Sequence, residues 1–245
     1  MLKRYHTGKT VIWYDDTLIK DPSLPIFDSN YWEKENKIVG SAKGRGTTWF
    51  IQLDEIQAAL RHYRRGGTFG KLVKNQYCFM GWEKTRSFQE LSLLEHLLEQ
   101  GVNVPKPIAA RAKRSGLSYR ADLLSERIPG ARDLVSLLSD APLTPQLYEK
   151  IGQEIAKMHN AGVNHSDLNI HNILIDQNQK VWIIDFDKCG LTQSASIMES
   201  NIARLLRSFE KEKIRKQIHW QKRDFKVLNE AYLNDLTLTK GSNSV

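Results

Sequence analysis

Apolar residues at Phe88, Leu91, Leu94, Leu97 and Leu98 recur three and four apart, so SFQELSLLEHLLEQG predicts a helix with a single apolar stripe. Gly101, just beyond it, supplies a C-cap. A second stripe runs through Leu147, Ile151, Ile155 and Met158, with Thr144 as N-cap and Pro145 at the first helical position. Upstream of the first helix the pattern is strand-like. KTVIWYDD alternates weakly, KIVGSAKGRGTTWFIQL predicts strand, Gly-rich turn and strand, and QAALRHYR predicts a further strand leading into the loop RGGTFGKL. Between the helices, Gly116 turns a hairpin and YRADLLSERI predicts a strand that leaves toward a hinge. The chain changes character near residue 128, with strands and one main helix before it and mostly helices after it, including NIARLLRSFEKEKIRKQ. The expected fold is α+β in two lobes, 1–127 and 128–245.

At 245 residues the chain is long enough for one large domain or two small lobes. Its 40% hydrophobic and 26% charged residues are those of a globular protein, with disorder expected only at the C-terminal TKGSNSV. No apolar run approaches the roughly 18–20 residues of a membrane span. The start acquires Asp15 and Asp16 before any long apolar segment and does not read as a signal peptide. Cys78 and Cys189 lie far apart, which fits a reduced cytoplasmic protein without a disulfide framework. The net charge of +8 bears on the partners the protein can meet. It suits nucleic acid, anionic lipid or a phosphorylated substrate, and equally a solvated basic face.

The candidate chemistry lies in VNHSDLNIHNILID and the VWIIDFD that follows. NILI and VWII are short apolar runs joined by the polar DQNQK, a β-hairpin. Asp167 and Asn172 precede its first strand and Asp185 ends its second, so the hairpin brings Asn172 and Asp185 to one pocket with Asp167 nearby. Phosphoryl transfer needs such a trio. Mg2+ takes oxygen ligands, which Asn172 and Asp185 offer, and the attacking hydroxyl needs a carboxylate to orient it and accept its proton, which Asp167 offers. The order H-x-D-x-x-x-x-N, then a strand ending in Asp-Phe, is that of the kinase catalytic loop and metal-binding strand. His165 is expected to brace the loop. The oxygen donors beside His165 and His171 favour Mg2+ over Zn2+. Asp187 stands where the kinase pattern has glycine, as a neighbouring group or a further metal contact.

A kinase site also needs a phosphate cover, a cation and an acid that holds the cation. Gly40, Gly44 and Gly46 supply a loop whose backbone N–H groups can approach phosphates, though a plain hairpin turn explains them too. In AALRHY, Arg61 stands where a lysine is expected and offers a permanent cation. Glu90 on the leucine-striped helix is its candidate partner. LLSERIPG, with Glu126 at its centre, falls where the chain would cross between lobes, and its backbone could hold adenine. Gly8-Lys9-Thr10 is not a P-loop, because the required first glycine would be Lys3.

In this order the residues resemble the protein-kinase-like superfamily from Ile38 to Gly190, which implies a two-lobed kinase fold. Asn169 replaces the catalytic-loop lysine and no A-P-E follows Asp185, so the peptide-docking part is missing and no protein substrate is expected. GSAKGRGTTWF, ALRHYRRGG, TRSFQE, VPKPIAAR, HSDLNIHNIL, DFDKCG and RLLRSFEKE together are similar to the 3-deoxy-D-manno-octulosonic acid (Kdo) kinase family. That resemblance implies ATP and Mg2+ as cofactors and transfer to the 4-hydroxyl of Kdo on a lipid A precursor in lipopolysaccharide core assembly. It makes Asp167 the base and Arg61 normal for the branch. It also implies a peripheral enzyme on the cytoplasmic face of the inner membrane, with a lipid-linked Kdo acceptor and an anionic surface as partners and no nucleic acid. Two basic patches would then dock the acceptor. One gathers Arg61, Arg64, Arg65, Lys71 and Lys74; the other gathers Arg204, Arg207, Lys211, Lys213, Arg215 and Lys216, beside a core-facing stripe of Ile202, Leu205, Leu206 and Phe209. The alternatives are a heptose kinase of the same pathway, a glycosyltransferase using Asp185-x-Asp187 on a metal-bound nucleotide sugar, and a non-catalytic kinase-like binding module.

Overall fold

The structure is a computed structural model that describes residues 2–43, 46–64 and 75–237. It divides into two compact units, one of Met1–Glu95 with Lys106–Ile128 and the other of His96–Pro105 with Pro129–Val245. The loop RGGTFGKL from Arg65 onward, Gly44 and the TKGSNSV tail lie outside the described residues.

The first unit is built on one antiparallel sheet. Among the described residues its strands are β1 (Leu2–Thr7), β2 (Thr10–Asp15), β3 (Ile38–Lys43), β4 (Thr47–Gln52), β5 (Gln57–His62), β6 (Tyr77–Cys78), β7 (Pro107–Ser115) and β8 (Ser118–Glu126). They run in the order β1-β2-β7-β8-β5-β4-β3, with β6 on β8. The unbroken apolar run Val11-Ile12-Trp13 in β2 reflects a strand covered on both faces. Ile12 joins Ile51, Leu60 and Leu124 under Trp32 of helix α1 (Ser29–Lys34). Trp13 meets Phe88 of helix α2 (Arg86–Glu99) at 4.7 Å between ring centroids. The α2 stripe is corrected at its end: Leu98 is 37% exposed, while Leu93, outside the stripe, is buried. Gly101 caps the helix at φ 73, as its position predicts.

The second unit carries α3 (Leu134–Asp140), α4 (Pro145–Asn160), α5 (Ala195–Lys216) and α6 (Lys222–Asp235). A hairpin of β11 (Ile173–Ile175) and β12 (Val181–Ile183) is extended by β9 (Arg132–Asp133), and β10 (Val163–Asn164) pairs with β13 (Gly190–Leu191). Leu147, Ile151, Ile155 and Met158 of α4 are buried, as the stripe predicts. The α4–α6 approach is so close that a Cβ on Gly152 would stand 2.1 Å from the Leu228 carbonyl and 2.9 Å from the Tyr232 nitrogen. Both obstacles are backbone, so neither can swing aside. Gly152→Ala is therefore expected to destabilise the protein by about 3 kcal/mol, the upper range for overpacking. The urea midpoint checks this; an unchanged midpoint would show that the helices separate at no cost.

Candidate active site

The catalytic-loop candidates sit on the segment between α4 and β11. Leu168 and Ile170 are fully buried, and Asp167 and His171, on the alternate positions, are exposed. The loop is held by its own amides. The Asp167 carbonyl accepts from Asn169 Nδ2 at 2.8 Å and from Asn172 Nδ2 at 3.0 Å. The Asp167 N–H lies 3.3 Å from His165 Nδ1. The fold thus uses the Asp167 backbone, and its carboxylate is turned to solvent.

Register places the other members. Ile173 pairs with Ile183, and the Ile184 N–H donates to the Asn172 carbonyl at 3.0 Å, so Asp185 follows directly beside Asn172. Asn172 thus lies between the Asp167 backbone, which its side chain contacts, and Ile184, the residue before Asp185. Asp185 adopts φ 64, in the left-handed region that aspartate tolerates better than most side chains. Such backbone costs of order 1 kcal/mol and persists where surroundings over-determine it. Here Phe186, 1% exposed and 4.8 Å from the His165 ring, anchors the next position.

His165 braces the loop. It is fully buried, its Nε2 lies 3.0 Å from the Ile184 carbonyl, and its N–H donates to Asn201 Oδ1 at 3.0 Å. Burial pushes its pKa below the usual range, against the hydrogen bond to Ile184 and the Asp185 and Asp167 carboxylates. A neutral ring then donates from Nε2 and accepts at Nδ1, which leaves neither nitrogen for a metal. His171 is drawn instead between two carboxylates, 3.7 Å from Asp133 and 3.6 Å from Glu212.

Supports from α5 and α6 were not singled out in the sequence. Asn201 links His165 to His159, whose Nε2 is 3.3 Å from Asn201 Oδ1 and whose Nδ1 is 2.8 Å from the Tyr232 hydroxyl. Ser208 Oγ accepts the Ile170 N–H at 3.1 Å. The available signal was their spacing: Asn201 and Ser208 lie seven apart, next to the apolar stripe of α5, where polar side chains need a partner. Burial lowers the His159 pKa from 6.5 to about 4, partly opposed by Asn201. The unfolded ring therefore takes up a proton that the folded one refuses. Stability from this group is complete above pH 6.5 and is lost as pH falls toward 4, by about 3 kcal/mol in all. His159→Gln should flatten that part of the urea-midpoint profile against pH; an undiminished slope would assign the acid sensitivity elsewhere.

The phosphate-anchoring candidates lie in the first unit. Arg61 of β5 donates to Glu90 Oε1 at 2.5 Å, and the Tyr63 hydroxyl donates to Oε2 at 2.5 Å. Glu90 is 4% exposed, so α2 presents a buried carboxylate that fixes Arg61 over the Tyr63 ring. Tyr63 was not anticipated. Gly40 is corrected: it lies within β3, at a bulge with φ 155 and Phe50 close by, rather than in the turn. Gly46 faces Arg64, whose Nε would be 3.0 Å from a Cβ there. Glu126 ends β8, with its N–H on the Lys106 carbonyl and its carboxylate on the Lys106 N–H. Gly44, Arg65 and Lys71 lie outside the described residues.

Known proteins match this chain over most of its length. The profile described as "Lipopolysaccharide kinase (Kdo/WaaP) family" matches residues 29–232. The 3-deoxy-D-manno-octulosonic acid kinase of Vibrio parahaemolyticus is 65% identical over 231 residues, 94% of this chain and 97% of that protein. The protein of the same name from Vibrio cholerae is 54% identical, over 94% and 97% of the two chains. Among solved structures, that of WaaP in complex with acyl carrier protein aligns at a TM-score of 0.59, covering 90% of this chain and 89% of that one. At 18% identity it shows the fold alone, and the fold is kinase-like, as expected.

Proposed function

The chain belongs to the lipopolysaccharide kinase (Kdo/WaaP) family, and from that premise we propose that it transfers the γ-phosphoryl group of ATP to the 4-hydroxyl of a Kdo residue on a lipid A precursor. The activity is that of a phosphotransferase with an alcohol acceptor, in lipopolysaccharide core assembly. The family match sets aside the glycosyltransferase reading of Asp185-x-Asp187.

Asp167 orients the acceptor hydroxyl and takes its proton as the hydroxyl oxygen bonds to the γ-phosphorus and the bond to the β-phosphate oxygen breaks. ADP leaves and the phosphomonoester remains on the sugar. Arg61, fixed by Glu90 and Tyr63, steadies the phosphates, and a guanidinium fork suits phosphate oxygens. Gly46 lends its backbone N–H to them, and the end of β8 at Glu126 meets the adenine through its main chain. Arg64 belongs with the acceptor.

The donor set fits Mg2+. Asn172 commits its amide nitrogen to the Asp167 carbonyl, which leaves its amide oxygen as the ligating atom, and Asp185 adds an exposed carboxylate beside it. Two protein oxygens, completed by phosphate oxygens and water, are what a magnesium–nucleotide complex takes. Among the described residues no cluster of three His, Cys, Asp or Glu side chains is placed to hold a metal by itself. Bound Mg2+ would neutralise charge on the phosphates during transfer. His165 keeps the three oxygen-bearing residues in register through Ile184.

The acceptor is lipid-linked, so the enzyme works at the cytoplasmic surface of the inner membrane as a peripheral protein. No helix among the described residues is long and apolar enough to cross a membrane.

The observation that supports this reading most is the hydrogen-bonded join of Asp167, Asn172 and Ile184, which seats Asp185 beside them. The test is transfer of radiolabelled γ-phosphate to a Kdo-bearing lipid A precursor, with a Kdo-free control. Label is expected only on the Kdo-bearing acceptor; equal labelling of the control would overturn the proposal.

A further inference from the structure

The densest charge in the chain lies from Arg204 to Lys226, where nine Lys and Arg stand against three Asp and Glu. The structure sorts these cations into two kinds. Lys222, Arg223 and Lys226 on α6 lie within 4.0 Å of Glu210, Asp224 and Glu230, at 3.9, 3.8 and 3.7 Å. Arg204, Arg207 and Lys211 on α5 are exposed, and among the described residues no ion pair involves them.

Helical geometry puts these three on one face. At about 100° per residue, Arg204, Arg207, Lys211, Ile214 and Arg215 fall within an arc of about 100°. Lys213 and Lys216, from the same basic run, point elsewhere, and Lys213 is turned to the Ile218 carbonyl at 3.1 Å. Ile214, at the edge of that face, is 83% exposed on a helix that buries Met198, Leu205 and Phe209. Unneutralised cations around one solvent-facing aliphatic side chain match an anionic interface: the cations meet headgroups and the isoleucine enters the acyl boundary.

The flank of α5 next to this face holds the catalytic loop. Ser208 takes the Ile170 N–H, and Glu212 lies 3.6 Å from His171 and 3.0 Å from Arg215. One helix thus carries the basic face and, about a quarter-turn round, the grip on the loop that bears Asp167.

We propose that the α5 face of Arg204, Arg207, Lys211, Ile214 and Arg215 docks on an anionic lipid surface and so presents the catalytic loop to a lipid-linked acceptor. The inference rests on the lipid-linked acceptor proposed above. Basic residues near an anionic surface contribute about 1 kcal/mol each, or about fivefold in partitioning.

The experiment is sedimentation of the full chain with sucrose-loaded vesicles, either phosphatidylcholine alone or an equal mixture with phosphatidylglycerol. The test variant is Arg204→Gln, Arg207→Gln, Lys211→Gln together; Arg215 is kept because it holds Glu212. The off-face control is Lys213→Gln with Lys216→Gln. Wild type is expected to bind the mixed vesicles and release them at high salt. The triple variant should lose about a hundredfold in partitioning, three steps of about fivefold, while the control loses less than tenfold. Equal binding to neutral vesicles, an unaffected triple variant, or equal losses in both variants would overturn the proposal; an acidic protein or nucleic acid as the true partner would give the second result. Turnover on detergent-dispersed Kdo acceptor is measured alongside. Its absence in wild type would sink the proposed reaction while leaving the vesicle result to judge the docking face, and a urea midpoint unchanged from wild type shows that the triple variant folds.

Discussion

Asp167→Asn is expected to lower turnover by about a thousandfold, within the range for loss of a positioned general base. The substitution separates chemistry from folding. The backbone of Asp167 carries the loop's hydrogen bonds, from Asn169 and Asn172 to its carbonyl and from its N–H toward His165, while its carboxylate faces solvent. Asparagine keeps the size and the backbone but cannot take the acceptor's proton. Single-turnover transfer should fall while ATP affinity, measured by titration, stays within about twofold, because a loss confined to the reacting step lowers the rate and leaves ground-state binding alone. A parallel loss of ATP affinity would mean that Asp167 holds the nucleotide instead.

Asp185→Asn is expected to act the other way round. Asparagine also tolerates the φ 64 conformation, so the backbone turn before Phe186 should persist. What goes is the anionic oxygen beside Asn172. Mg2+-dependent ATP affinity should fall by about a hundredfold and turnover with it, on the scale of losing one strong electrostatic contact at a reacting phosphate. Titration with Mg2+ at fixed ATP checks this. A higher Mg2+ requirement supports the role, and an unaltered requirement would remove Asp185 from the metal site.

Much of this was legible in the sequence, and the reasons are local. The hairpin from Ile173 to Ile183 follows from two apolar runs around a polar turn, and once it is drawn, Asn172 and Asp185 must be neighbours. Arg61 and Glu90 could be paired only through an expected kinase pattern, since β5 and α2 are 29 residues apart at that contact. Other features left weak local marks. β1 reads LKRYHT, with no residue of it buried, and gains its place from pairing with β2. α1 has six residues and depends on the Asp28 cap and on Trp32, whose indole donates to the Ile26 carbonyl. Gly40 looked like part of the turn because spacing cannot tell a bulge within a strand from the loop beyond it. The buried relay from Tyr232 through His159 and Asn201 to His165 joins residues up to 73 positions apart, and periodicity carries no trace of such contacts. For the basic run on α5, sequence gave the charge; the helix and its ion pairs were needed to separate the face of Arg204, Arg207 and Lys211 from Lys213 and Lys216.

The most direct measurement is 31P NMR of the complete wild-type reaction with ATP, Mg2+ and a Kdo-bearing lipid A precursor. One phosphomonoester is expected, on the 4-position of Kdo, in equal amount to the ADP formed. Inorganic phosphate as the main product, or an ester on any other hydroxyl, would contradict it.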